Sequence, residues 1–462
     1  MFGFIRKLFA APKEETPKPE AVILAPGAGL ESIPSTKIFD RSSFICRLPM
    51  LGRDECIVGY EFALQRKVEQ RLLGRSPAAR KAYDDALVSN LLELDLTAAL
   101  GERTAFVHVS PASIQNPRLR ELPTRNTAFV FAAPDPEEQG ADHLGMALET
   151  LQREGYRVGW LLGATAPETL AVVATTADFL QIDAAILDGV QMKALVRHVR
   201  QANDGRQLPL SVIAGNLATH DDFQFCLRCG FDMFQGDFVA NREDWHAPKS
   251  DVNRIRVIEL LNMIRSGAEV DAISGLLKTE PVLTFKLLRY LNSASMGLAR
   301  QVTTISQALV ILGRDSFYRW LSLLLFDTRS PGYRERILTE QALTRGRMME
   351  LLSGQGQIPK PPDQLFIAGL FSLLDVLMGQ SLDEMLRQIT LPEAVQKALA
   401  GEPGPIHDAL LLAMAAESSD VEKIEVMAER CGVPLAVASS ASMSALGWVQ
   451  GLGGGDHGST PN

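Results

Sequence analysis

A chain of 462 residues with 46% hydrophobic content can bury large cores and is long enough for two or three domains. Its formal net charge of −9 and pI near 5.5 argue against a broad electrostatic footprint on nucleic acid, so no nucleic-acid partner is expected. The five cysteines are few and odd in number, which suits reduced thiols in a cytoplasm better than a disulfide scaffold, and the absence of an apolar run of about 18 residues argues against a transmembrane helix.

In chain order, residues 1–36 read as a flexible segment. Phe2, Ile5 and Phe9 can share a helical face beside Arg6 and Lys7, which suits a weak membrane or partner contact, although a frayed terminus is the plainer reading. The following stretch to Pro34, rich in Pro, Glu, Lys and Gly, reads as a tether.

From 37 to 247, short β-like runs alternate with helical patterns. The runs begin at Phe44, Cys56, Ala105, Ala128, Arg157, Phe179, Leu208 and Met233, and amphipathic stretches lie at 78–100, 140–154, 166–176, 190–203 and 219–229. Strand and helix in turn predict parallel strands with crossover helices. So many units in about 200 residues favour a closed (β/α) barrel of the TIM type, with functional groups at the C-terminal strand ends. Cys226 and Cys229 have metal-ligand or redox spacing, but no second such pair accompanies them, and helix packing is the favoured reading.

Past Pro248 the β-branched alternation nearly vanishes. Apolar residues recur at helical spacing through Ile255, Ile258, Leu261 and Ile264, then Leu283, Leu287, Leu288 and Leu291. Pro281 suits a first helical turn, and Gly313 marks a stop. Residues 248–450 therefore read as an all-α domain, and 451–462 as a disordered tail. The connector near Pro248–Asp251 is short, so the two domains are expected to dock.

The stretch from Arg47 to Glu61 resembles the opening of EAL domains, the barrel phosphodiesterases of the bacterial second messenger cyclic di-GMP. More narrowly it resembles the variant in which a shortened EAL barrel precedes an HDOD domain. The signature Glu-Ala-Leu reads here as Glu61-Phe-Ala63, and Glu61 holds a position that is a metal ligand in the family. The family's Asn ligand falls on His108, its next Glu on Ala132 or Ala133, its paired aspartates on Leu161 and Leu162, its catalytic Lys on Gln181, and a further Glu on Gly215. Asp183 and Gln235 match. The resemblance implies remnant positions at Glu61, His108, Asp183 and Gln235, with no catalytic residue, no bound metal and no cofactor, because a hydrated dication needs several hard oxygen ligands.

Each remnant also has a structural reading. Glu61 is read as a buried strand-end acid in preference to a ligand, His108 as a satisfied barrel histidine, and Asp183 and Gln235 as braces or remnant ligands. Arg47 and Arg66 are the cations that stand out for a nucleotide.

The segment from Val257 to Gly297 is similar to the HDOD signature through Glu280-Pro281, Leu287-Leu288, Asn292-Ser293 and the run from Ala308 to Gly313. HDOD domains resemble HD-class phosphohydrolases without their ligands. Here Ser372-Leu373 stands where a relative would carry His-Asp. Asn292 and Ser293 suit a packing clip or a ligand pocket, and Leu321–Phe326 suits core.

The resemblance implies a cytoplasmic, catalytically inactive signal-transduction adaptor working through signalling-protein partners of unknown identity. The alternatives are an active cyclic di-GMP phosphodiesterase and a sensor that binds the nucleotide without cleaving it.

Overall fold

The computed structural model describes residues 44–64, 77–132, 141–162, 177–184, 188–202, 210–236, 238, 253–292, 302–326, 333–417 and 421–453. The N-terminal segment, the helical pattern at 166–176, Arg66, Ala133, the connector near Pro248, Ser293 and the tail beyond 453 lie outside these residues.

Eight strands close into a barrel in chain order. They are β1 (Cys46–Gly52), β2 (Ile57–Ala63), β3 (Thr104–Val109), β4 (Thr127–Ala132), β5 (Arg157–Leu162), β6 (Phe179–Asp183), β7 (Ser211–Gly215) and β8 (Met233–Gln235). Neighbours from β2 to β8 are parallel, as the alternation predicts, but β1 runs antiparallel to both β2 and β8. The departure follows from the short link between β1 and β2. A parallel pair needs a crossover of a dozen or so residues, whereas the turn here is closed by Gly52 N–H donating to the Cys56 carbonyl at 2.9 Å. The β-like run that begins at Phe44 leads into β1, which continues through Pro49; proline weakens a strand pattern, and here it stands outside the stretch that pairs with β8.

On the barrel's outside lie α1 (Pro77–Leu92), α2 (Leu96–Leu100), α3 (Ala141–Arg153), α4 (Gly189–Ala202) and α5 (His220–Cys229). Thr219 and Asp222 cap α5 reciprocally, and Gly230, at φ 98°, ends it. Short 3₁₀ turns, in place of a helix, join β3 to β4. The barrel interior holds Met50, Phe106, Ala128, Val130, Phe179, Ile213 and Met233, a filled core and no pore.

The remainder is helical: α6 (Arg254–Arg265), α7 (Val270–Lys278), α8 (Pro281–Leu291), α9 (Ile305–Leu324), α10 (Tyr333–Leu351), α11 (Pro362–Phe371), α12 (Leu374–Met378), α13 (Leu382–Gln388), α14 (Glu393–Leu399), α15 (Pro405–Ala416), α16 (Val421–Cys431) and α17 (Leu435–Gly453). Pro281 stands in the first turn of α8 as expected. Gly313 breaks α9 with φ 73° and ψ 169°, a conformation glycine adopts without the steric cost of a Cβ. Leu321 and Leu323–Phe326 are buried in the core, and Trp320 stacks on Phe317 at 5.8 Å between ring centroids. Among the described residues no single helix is long and apolar enough to cross a membrane.

The two halves share cores. Phe44 and Cys46, at the entrance to β1, pack with the helical residues, while Ile337 of α10 and Met443 and Leu446 of α17 pack with the barrel's outer layer. At Gly447 an added Cβ would stand 3.0 Å from the Ala99 Cα, so α17 lies almost directly on the backbone of α2. Polar contacts close the seam. The Tyr60 hydroxyl bonds Glu340, and Arg103 donates to the Tyr60 oxygen at 2.8 Å and to Glu340 Oε2 at 2.9 Å.

Candidate functional site

Side chains alternate across a strand, so one residue in two at the C-terminal end of each parallel strand faces the barrel axis. Glu61, His108 and Gln181 meet there. The Gln181 amide donates from Nε2 to Glu61 Oε2 at 3.4 Å, and its Oε1 lies 3.1 Å from His108 Nε2. His108 Nε2 is also 3.6 Å from Glu61 Oε2. Glu61 and Gln181 are buried, at 7% and 4% exposure. Three strands are thus tied at the mouth by a carboxylate, an amide and an imidazole that satisfy one another.

Gln235, fully buried, stands apart from this clasp. Its Oε1 accepts from the Asn216 N–H at 3.1 Å, while its Nε2 has no hydrogen-bond partner among the described residues. Gly215 occupies the gap between them: a Cβ there would lie 3.2 Å from Gln181 Nε2 and 3.5 Å from Gln235 Oε1. Asp183 is held differently again, accepting from Asn216 Nδ2 at 2.8 Å. Asn216 takes a left-handed φ of 56°, which asparagine tolerates better than most residues, and so braces β6 and β8 together.

Leu161 and Leu162 do not share an environment. Leu161 packs against the interior layer and lines the cleft at the mouth, whereas Leu162 is buried between the barrel and its helices. Ala132 lines the same cleft.

Arg47 is not a mouth cation. It sits level with Phe62 on the antiparallel strand and turns outward, its Nη1 donating to Ser442 Oγ of α17 at 2.7 Å. Among the described residues, Arg80 on α1 stands at the mouth and lines a cleft of about 60 Å³ with Tyr83, His108, Ser110 and Ala132. Sequence reading passed over it because helix α1 carries no motif. The Asp84 carboxylate, also unread in the sequence, accepts from the Ser110 N–H at 2.9 Å and from the Ser110 and Ser113 hydroxyls at 2.6 Å each. Burial pushes this carboxyl above its ordinary range, against the pull of the serine donors.

The described residues at the mouth do not suit a divalent cation. Mg²⁺ or Ca²⁺ demands about six or more hard oxygens, and the Glu61 carboxylate already faces an amide N–H and an imidazole. Among the described residues no group of three His, Cys, Asp or Glu is placed to hold a metal ion. Cys226, buried, meets the Met192 sulfur at 3.9 Å, and burial pushes its thiol to about 12, which leaves it protonated and inert.

In the helical region Ser372 accepts from Arg345 Nη1 at 2.6 Å and donates to the Gly369 carbonyl at 2.7 Å. Arg345, 3% exposed, forms a two-point pair with Glu417 at 2.9 and 2.6 Å. A buried guanidinium therefore occupies the neighbourhood where the resemblance would put a metal-binding His-Asp pair. Asn292 exchanges two 2.7 Å bonds with the Val302 backbone, which makes it a packing clip.

Residues 251–400 match the HDOD domain model. A relative named cyclic di-GMP phosphodiesterase CdgJ, from Vibrio cholerae serotype O1, is 24% identical over 417 residues, 89% of this chain and 93% of that protein. YuxH of Bacillus subtilis, described as uncharacterized, is 23% identical over 385 residues, 82% of this chain and 91% of that protein. Among solved structures, a standalone versatile EAL protein from Vibrio cholerae O395 in its c-di-GMP-bound form matches 45% of this chain and 93% of its own, at 16% identity and TM-score 0.36. The PaMucR phosphodiesterase in complex with c-di-GMP matches 43% and 95%, at 16% identity and TM-score 0.35. The chain is an eight-stranded barrel of the TIM type followed by an all-helical region that carries an HDOD domain.

Proposed function

We propose that this chain is a bacterial signal-transduction protein of the cyclic di-GMP sphere whose EAL-like barrel does not hydrolyse the nucleotide and which acts through protein contacts. The observation that carries the reading is the clasp of Glu61, His108 and Gln181. It engages the Glu61 carboxylate with an amide and an imidazole, and inward positions beside it are Leu161 and Gly215. Without a metal to generate hydroxide, attack on a phosphodiester has no activated nucleophile. The helical region is then the main partner-binding unit, working from a cytoplasmic location.

The purified full chain, given cyclic di-GMP with Mg²⁺ or Mn²⁺, is expected to release no linear product above background. Turnover that disappears in Glu61→Ala would overturn the reading. It would also favour the alternative, a phosphodiesterase, which draws on the likeness to CdgJ. For the adaptor role, charge reversals on exposed faces of the helical region should disrupt partner capture while leaving thermal stability within about 0.5 kcal/mol.

A further inference from the structure

A second cavity, of about 200 Å³, lies in the helical region between α6, α9, the start of α11 and the turn before α14. Its wall carries two arginines and two aspartates. Arg319 is committed: it pairs with Glu350 at 2.7 and 3.1 Å, reaches Asp363 at 3.4 Å, and lies 3.9 Å from the Phe366 ring centroid. Arg265 and Asp315 are different. Arg265 lies over the Tyr318 ring at 5.2 Å, and neither it nor Asp315 forms an ion pair with any described residue, so two opposite charges line one cavity without meeting.

Two donors converge on the same space. Helix α11 starts at the N-cap Pro361 with no side-chain cap, and past Pro362, which has no N–H, the Asp363 and Gln364 N–H groups are available to an anionic oxygen. Tyr318 is only 5% exposed, and its hydroxyl has no hydrogen-bond partner among the described residues. Burial pushes that hydroxyl to about 12, so it remains a donor at neutral pH. Ile367, Pro361 and Pro392 supply an apolar side.

We infer that this cavity binds a small zwitterion of the free amino-acid class, with Arg265, Tyr318 and the α11 N-terminus receiving the carboxylate and Asp315 the ammonium. Charge balance separates this from a phosphate site, since a dianion would also face Asp315 and Asp363. One water needs about 10–15 Å³, so the cavity accepts a ligand of on the order of ten heavy atoms, the size of an amino acid with a small apolar side chain. The site goes beyond the adaptor reading: it would give the helical region an input of its own.

Calorimetric titration of the full chain with L-alanine, L-valine and L-leucine tests the inference, with L-valinamide, N-acetyl-L-valine and inorganic phosphate as further probes. At least one free amino acid should give saturable heat. Blocking either end should weaken binding at least about tenfold, and Arg265→Ala and Asp315→Asn should each do the same without moving the thermal midpoint of the ligand-free protein. The inference fails if none of the three saturates by about 10 mM, or if blocked analogues or the two variants bind like the parent. Phosphate binding tighter than any amino acid would equally overturn it.

Discussion

At the residue scale, the barrel mouth is held by polar side chains from three strands that bond to one another. Gln181 supplies a donor to Glu61 and an acceptor to His108, so replacing it removes one hydrogen-bond partner from each. Gln181→Leu should cost about 1–3 kcal/mol, read as a lower urea midpoint at unchanged m-value. A loss inside experimental error would mean the clasp is not closed in solution. Glu350 offers a pH test. Burial works upward on its carboxyl, but hydrogen bonds and charge from Arg319 and Arg347 outweigh it and hold the group below its ordinary value of 4.5. The folded state therefore binds this proton more weakly than the unfolded state. Its stabilising contribution is complete above about pH 4.5 and is lost as pH falls through the lower folded value. Glu350→Gln should flatten the acid limb of a plot of urea midpoint against pH; curves that stay parallel would contradict the assignment.

At the element scale, glycine inside a helix has opposite meanings at two places. At the crossing of α10 and α11, a Cβ on Gly369 would sit 2.6 Å from the Gly346 Cα, closer than any real contact. Gly275 in α7 is exposed, and a Cβ there would meet nothing within 4 Å. The same change should thus differ in sign. Gly369→Ala is expected to lower stability by about 1–3 kcal/mol through overpacking, and Gly275→Ala to raise it by up to about 1 kcal/mol through helix propensity. Thermal melts of the two variants, side by side, check this; equal shifts would refute the close crossing.

At the scale of the whole molecule, the shared cores make the halves thermodynamically dependent. Phe44, fully buried among helical residues, belongs by chain position to the barrel, and Met443 and Leu446 reach the barrel from the last helix. Burying one such side chain stabilises by about 1.5–3 kcal/mol. Calorimetry of the full chain should show one cooperative transition, and an excised piece spanning 253–453 should melt lower than the full chain. Two separated transitions, with the excised piece melting as it does in the intact protein, would show that the seam is weak.

How much of this was legible beforehand divides along a physical line. Strand and helix periodicity, the glycine break at 313 and the proline at 281 are local steric preferences, so the sequence by itself determined a parallel-rich barrel followed by helices. The resemblance to EAL domains, carried strand by strand, likewise pointed to Glu61, His108, Asp183 and Gln235 as strand-end positions. Which of them touch was not local. Glu61 and Gln181 are 120 positions apart, and their bond depends on how the barrel closes. Arg47 faces outward because it stands level with Phe62 on the barrel's outer face, and Arg80 reaches the mouth because α1 packs on the turns that follow β3. The unmatched pair of Arg265 and Asp315 belongs to two helices that only tertiary packing brings to one cavity. Charge and hydrogen-bond complementarity act through space, and a single sequence specifies them only once the chain has closed on itself.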